Sequence, residues 1–215
     1  MHTYSWDVRM NVVEGSIWGI FRQKEAGRKG QVDDVLQAGS SLVAAGYAIY
    51  GPCTMIVITT GEGVCGFTLD PTIGEFVVTH PDIKIPERGQ IYSVNEGNSA
   101  YWEPGIANYI RAVKDPNSPY AKPTSRYSGA MVGDVHRLLL HGGIFLYPGD
   151  KKYPHGKLRL LYEAAPMAFL CEQAGGRAIA GKGRRLLDIH PSSIHERSPV
   201  ILGSPQDVTD CESFL

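Results

Sequence analysis

Lys157-Leu158-Arg159-Leu160-Leu161-Tyr162-Glu163, followed closely by Pro166-Met167-Ala168-Phe169-Leu170-Cys171-Glu172-Gln173-Ala174-Gly175-Gly176, sets one structural period directly against another. Alternation over Leu158–Tyr162 predicts a strand, with Lys157, Arg159 and Leu161 on one face and Leu158, Leu160 and Tyr162 on the other. Pro166–Ala174 predicts a helix that turns Met167, Leu170, Cys171 and Ala174 inward and stops at Gly175-Gly176. A strand feeding a helix is the repeating step of a layered α/β domain.

The neighbouring sequence repeats that step. Met131, Val135, Leu138 and Leu139 form one stripe of a predicted helix over Met131–His141, with Gly142-Gly143 as its C-terminal stop. Ile144–Tyr147 reads as a short strand, as does Val200–Gly203, which a helix from about Pro205 follows. Ile106, Tyr109, Ile110 and Val113 recur at helical spacing, with Pro104 suited to the first turn. Further upstream the pattern changes. Leu42–Tyr50, Thr54–Thr60, Val64–Leu69, Glu75–Thr79 and Gln90–Val94 read as short strands punctuated by Gly51-Pro52 and Gly61-Glu62-Gly63. Arg22–Gly39 is polar and reads as a loop. The predicted fold is therefore an α/β layered domain over residues 86–215, preceded by a β-rich unit over residues 1–85.

Composition narrows the functional classes. The chain has 215 residues, of which 43% are hydrophobic and 20% charged, the balance of a globular protein with a substantial core. With a formal net charge of −1, no global field draws it to nucleic acid or an anionic membrane, so any anion must be held by a local cation cluster. Apolar runs such as Met55–Ile58 and Leu138–Leu140 are too short to span a bilayer. Cys53, Cys65, Cys171 and Cys211 are scattered without a CxxC pair, which points to reduced thiols rather than a zinc site or disulfide framework.

Several clusters invite a chemical reading. Lys157 and Arg159, two apart on a strand, converge on one spot and suit an anion such as phosphate. Glu163 at the strand's end has two readings, an ion pair with those cations or a ligand to a divalent metal. Arg126-Tyr127-Ser128-Gly129-Ala130 either cradles an anion at a helix start or is simply the loop before that helix. Turn chemistry accounts for Asn95-Glu96-Gly97-Asn98 and for Asp70-Pro71-Thr72-Ile73-Gly74-Glu75. His136 and His141 do not match H-E-x-x-H and read as structural.

Taken in order, these segments resemble the class I fructose-1,6-bisphosphatases. The resemblance is carried by Ser16-Ile17-Trp18-Gly19-Ile20-Phe21, Leu42-Val43-Ala44-Ala45-Gly46-Tyr47, Leu69-Asp70-Pro71-Thr72-Ile73-Gly74-Glu75-Phe76, Ile91-Tyr92-Ser93-Val94-Asn95-Glu96-Gly97, Arg126-Tyr127 through Arg137, and above all Lys151 through Glu163. It runs from about Asn11 to the C-terminus. It implies the layered sugar-phosphatase fold and metal-dependent hydrolysis of the 1-phosphate of fructose 1,6-bisphosphate, giving fructose 6-phosphate, with Mg2+ as the metal. Carried over by position, Asn95, Tyr127, Tyr147 and Lys157 match residues holding the sugar and its 6-phosphate. Arg126 matches an arginine serving the neighbouring subunit's pocket, Met131 a residue packing on the sugar, Arg159 a cation near the 1-phosphate and Glu163 a metal ligand. The implied partners are a sugar bisphosphate and further copies of the chain in a homo-oligomer, the family tetramer.

Departures accompany the match. Asn98 and Ala130 stand where the family often has tyrosine and serine. The family's Asp-Pro-Leu-Asp-Gly-Ser-Ser metal motif belongs at or before residue 1, and Met1-His2-Thr3-Tyr4-Ser5-Trp6-Asp7-Val8-Arg9 does not match it. Two-metal phosphoryl transfer needs several carboxylates, and Glu163 alone remains. The expectation is thus a family member with an incomplete metal site; the alternative is an inactive sugar-phosphate-binding or oligomer-interaction protein. The contexts of His136-Arg137 and Lys151-Lys152 look more like the fructose enzyme than its sedoheptulose sibling. Plastid forms carry a cysteine-bearing insertion in the loop matched by Arg22–Gly39, and no cysteine occurs there, which implies a cytosolic protein.

Overall fold

The computed structural model describes residues 2–4 and 14–215; of Met1–Arg9, read above as departing from the family, only the backbone strand β1 (His2–Tyr4) lies within that range. An antiparallel sheet comes first. β2 (Glu14–Phe21), β3 (Leu42–Tyr50), β4 (Met55–Thr59), β5 (Cys65–Asp70) and β6 (Glu75–His80) follow β1 in spatial as well as chain order. The small residues Ala44, Ala45, Gly46 and Ala48 make β3 a flat centre on which other layers can lie. Trp18 covers Gly46 so closely that a Cβ there would meet its ring at 2.5 Å. Asp70 ends β5 by accepting the Thr72 N–H at 2.8 Å, which confirms the segment before Glu75 as a turn. β6 is an edge, and Phe76, Val77 and Val78 on it are exposed.

The second half builds a mixed sheet. β7 (Ile91–Val94), α1 (Pro104–Lys114), β8 (Thr124–Ser125), α2 (Met131–His141) and β9 (Ile144–Tyr147) come first. β10 (Leu158–Arg159), α3 (Ala165–Gln173), β11 (Arg177–Ile179), β12 (Arg197–Ser198), β13 (Val200–Gly203) and α4 (Pro205–Glu212) complete the chain. Sheet order is β11-β13-β9-β7-β8, with β9, β7 and β8 parallel, while β10 and β12 form a separate antiparallel ribbon. α2 ends as predicted. Gly142, at φ +73°, takes a backbone conformation that other residues resist, and its N–H reaches the Leu138 carbonyl at 2.8 Å.

Alternation along the central strands assigns the layers. Phe145, Val200 and Leu202 join α2, α3 and the first sheet in one core; Ile144, Leu146 and Ile201 join α1 and α4 in a second. The mixed sheet is thus enclosed by helices on both faces, and the antiparallel sheet closes the outer side of α2 and α3. This is the predicted layered α/β architecture.

Two local expectations are corrected. The strand predicted over Leu158–Tyr162 stops at Arg159, and Leu160–Ala164 winds as a wide π-type turn into α3. Leu160, Leu161, Glu163 and Ala164 are good helix formers, and the Glu163 carboxylate reaches back to accept the Arg159 N–H at 2.7 Å. Leu161 is therefore buried rather than sharing a face with Lys157 and Arg159. Nor does α3 have one inward stripe: every residue from Ala165 to Cys171 is buried, because sheets lie on both sides of it.

Candidate functional site

Three parallel strands end side by side, and chemistry-bearing residues leave their carboxyl ends. Val94 in β7 is paired with Leu146 in β9, so Asn95 and Tyr147 emerge as neighbours. β8 runs alongside β7, and the Arg126 N–H extends the ladder by donating to the Tyr92 carbonyl at 3.0 Å. Tyr127 follows at the same edge. In open α/β sheets this is where ligands are received, because the diverging loops leave a crevice there.

The side chains converge accordingly. Burial pushes the Tyr127 phenol up to about 12, helped by nearby Tyr147 and Asp134, while the Asn95 amide opposes the shift. Asn95 Oδ1 also accepts the Gly97 N–H at 3.1 Å and so fixes the 3-10 turn Glu96–Tyr101. Asn95, Asn98, Trp102, Tyr147 and Asp150 wall a small cavity between that turn and β9. Asp150 is buried and takes the Lys152 and Tyr153 N–H groups at 2.8 and 2.7 Å, ordering the lysine-bearing loop. Met131, half-buried at the start of α2, packs with Tyr127 and Tyr147 against the first core.

The cations approach through the ribbon. Leu158 pairs with Ser198, and Val200, two residues on, pairs with Tyr147, so the start of β10 lies close to Tyr147's strand. Lys157, immediately before β10, is exposed; its ammonium makes no ion pair among the described residues, while its carbonyl accepts from the Arg197 guanidinium. Arg126 is exposed as well, with Nη1 donating to the Ser125 carbonyl at 2.9 Å.

Arg159 and Glu163 engage each other. Nη1 stands 3.4 Å from Oε1, and the Arg159 N–H occupies Oε2. Of the two readings open for Glu163, the ion pair is the one realised here. Among the described residues no three His, Cys, Asp or Glu side chains stand in a metal-holding group. Among the described residues Glu163 therefore stands without the further acidic or histidine side chains that a divalent metal needs.

Two further expectations are resolved. The Ser128 N–H goes to the Asp134 carboxylate and the Ala130 N–H to Ser128 Oγ, so those amides are not free to cradle an anion. His136 is structural. Tyr47, fully buried, has no other partner for its hydroxyl proton among the described residues and donates it to His136 Nδ1 at 2.7 Å, while burial drives the imidazole down to about 4. Sequence reasoning gave no role to Asp134 or to the pair formed by Lys122 and Asp207, all buried. A signal existed in Asp134, a lone carboxylate between Val132 and Val135 on the apolar side of a helix.

Fold and site together define a layered α/β protein that gathers amide, phenol and cationic side chains at the carboxyl ends of parallel strands. Comparison with known proteins gives the family. Residues 85–215 match the family model "Fructose-1-6-bisphosphatase, C-terminal domain", and residues 4–81 match "Fructose-1-6-bisphosphatase, N-terminal domain". The cytosolic fructose-1,6-bisphosphatases of Solanum tuberosum and Spinacia oleracea are each 54% identical over 210 residues, 98% of this chain. The crystal structure of Leishmania major fructose-1,6-bisphosphatase in holo form superposes with a TM-score of 0.90 at 49% identity, covering 97% of this chain and 66% of that one. The chain belongs to the fructose-1,6-bisphosphatase family. It spans 61% of the length of the two plant relatives.

Proposed function

We propose that the protein acts on fructose 1,6-bisphosphate, hydrolysing its 1-phosphate to leave fructose 6-phosphate, and that residues 86–215 supply the sugar-phosphate-binding part of the site. The observation that carries this reading is the convergence of Asn95, Tyr127 and Tyr147 at the carboxyl ends of three neighbouring parallel strands. Neutral amide and hydroxyl groups there suit a sugar's hydroxyls, Met131 supplies an apolar wall, and Lys157 brings an unpaired charge for phosphate. Arg159 balances the second phosphate. The names of the relatives support the substrate and a cytosolic setting. Glu163 is the ligand this chain would offer to Mg2+, once released from Arg159.

Residues 1–85 form the second unit in this reading, and the active protein is a homo-oligomer. Exposed Arg126 is free to reach a neighbouring copy, and apolar Ile73, Phe76 and Val78 on the outer hairpin favour burial in an assembly. Among the described residues no helix is long and apolar enough to cross a membrane. A second reading, a binding protein without hydrolytic activity, is favoured by the commitment of Glu163 to Arg159. Phosphate release from fructose 1,6-bisphosphate with Mg2+, measured beside calorimetric binding of fructose 6-phosphate without metal, separates the two. Turnover abolished by Glu163→Ala supports the enzyme, binding without turnover supports the second reading, and neither at millimolar ligand removes both.

A further inference from the structure

Asp134 is fully buried, an environment that penalises a carboxylate unless every acceptor is used. Standing fourth in α2, it reaches out of its own helix: the Ser128 N–H lies 3.1 Å from one oxygen and 3.0 Å from the other. Arg137 Nη1 lies 3.3 Å from Oδ1 and balances the charge from one turn further along. Burial raises the carboxyl's pKa, and the Ser128 and Arg137 hydrogen bonds pull it back.

What the carboxylate holds is an exposed segment. Ser128 and Gly129 are exposed, and Gly129 has φ +85°, so the loop has little packing of its own to define it. Its backbone is tied at two points that bracket Tyr127. Arg126 donates its N–H to Tyr92 in β7, and Ser128 donates to Asp134. A leucine, branched at the same atom, would suit a helix face that carries the buried Val132, Val135 and Leu138 better than a carboxylate. Helix packing therefore does not account for the acid, whereas the loop does.

We propose that Asp134 is a positioning residue of the sugar-phosphate site: its carboxylate fixes Ser128 and thereby sets the direction in which Tyr127 and Arg126 leave the sheet. This rests on the site reading above. Asp134 touches no ligand; it acts through the loop.

The test uses the whole chain and two variants. Asp134→Asn keeps the shape and an acceptor oxygen, and Asp134→Leu keeps the branching without acceptors; Asp134→Ala replaces the latter if the larger leucine does not fold. Amide hydrogen exchange at Ser128 in ligand-free protein reads the tether, and calorimetry with fructose 6-phosphate reads the site. Loss of the hydrogen bond in the leucine variant should speed Ser128 exchange about tenfold and weaken fructose 6-phosphate about tenfold, with thermal unfolding little changed. The asparagine variant should stay within about threefold of the unaltered protein on both counts. Unchanged Ser128 exchange in the leucine variant overturns the proposal, as does a freed Ser128 with unchanged affinity, or an asparagine variant as impaired as the leucine one. If the unaltered chain fails to bind fructose 6-phosphate at millimolar concentration, the site reading itself fails and the proposal falls with it.

Discussion

Replacing Lys122 with methionine should destabilise the protein more than any surface substitution, because it strands a buried charge. Lys122 and Asp207 side chains are 3% and 0% exposed, with Nζ 2.6 Å from Oδ1. Nζ also donates to the Gly89 carbonyl at 2.8 Å, and Asp207 Oδ2 accepts the Gly89 N–H at 2.9 Å. The three groups thus close a ring that joins the segment before β7, the segment before β8 and the first turn of α4. Removing one partner of a buried pair costs about 3–5 kcal/mol, because the other charge stays buried without its counter-ion. Arg88 Nη1, 3.6 Å from Asp207 Oδ1, offers partial compensation but is bound more closely to Asp210. That places the expectation near the lower end, about 3 kcal/mol, more than a hundredfold in the folding equilibrium.

Urea unfolding of Lys122→Met, Asp207→Leu and the double variant measures the coupling. The double variant should recover most of the loss, since two apolar side chains in place of a buried pair are often neutral or better. Thr124 begins β8 only two residues beyond Lys122, so the single variant should also weaken fructose 6-phosphate binding by loosening the strand that delivers Tyr127. A cost below about 1 kcal/mol for Lys122→Met, the range of exposed pairs, would refute the reasoning. So would losses that simply add in the double variant.

Three further outcomes are expected. His136 is held neutral by burial, with its pKa lowered from 6.5 to about 4, so between those values the unfolded chain binds the extra proton. Stability is therefore full above about pH 6.5 and lost as pH falls toward 4, by up to about 3 kcal/mol; equal urea midpoints at pH 7 and 4.5, corrected with a His136→Gln variant, would contradict it. Tyr47→Phe removes the donor to His136 Nδ1 and should cost about 1 kcal/mol in the same assay. Lys157→Ala should weaken metal-free fructose 6-phosphate binding about ten- to a hundredfold by calorimetry while leaving the melting temperature in place, since its exposed ammonium supports no ion pair among the described residues.

Much of the fold could be read because its strongest elements satisfy local and tertiary preference at once. β3 and α2 fall on the predicted residues, since the apolar run of one and the stripe of the other are also the surfaces they bury. Where tertiary context overrode local pattern, reading failed. Leu158–Tyr162 alternates like a strand, yet Glu163 folds back on the Arg159 N–H and a helical turn starts at Leu160, ahead of the helix predicted from Pro166. Spacing shows alternation; it does not show which acceptor will reach an amide from beyond the segment. The all-round burial of α3 was likewise hidden, because a short apolar helix carries no mark of how many sheets will enclose it.

The candidate site separates local from non-local information more sharply. Asn95, Tyr127 and Tyr147 come from segments far apart in the chain, and each by itself is an ordinary residue at or just beyond the end of a short strand. Only the parallel register of β8, β7 and β9 makes them neighbours, and register between distant strands leaves no trace in any one of them. Resemblance to a family could name them because selection has already integrated over the fold. It could not name what supports them: Asp134 bonds to Ser128 six residues away, and Lys122 to Asp207 eighty-five residues away, contacts that answer to this chain's own packing. Both supporting acids are buried carboxylates meeting backbone N–H groups of segments that lead into β7 or α2. If the site is held this way, disturbing Asp134 should free the ligand-facing loop at Ser128, disturbing Asp207 should free the entry to β7 at Gly89 on the opposite end of the sheet, and hydrogen exchange at each amide should rise ahead of global unfolding. Exchange at both amides that rises only with global unfolding would mean that the core, rather than these two carboxylates, sets the geometry of the site.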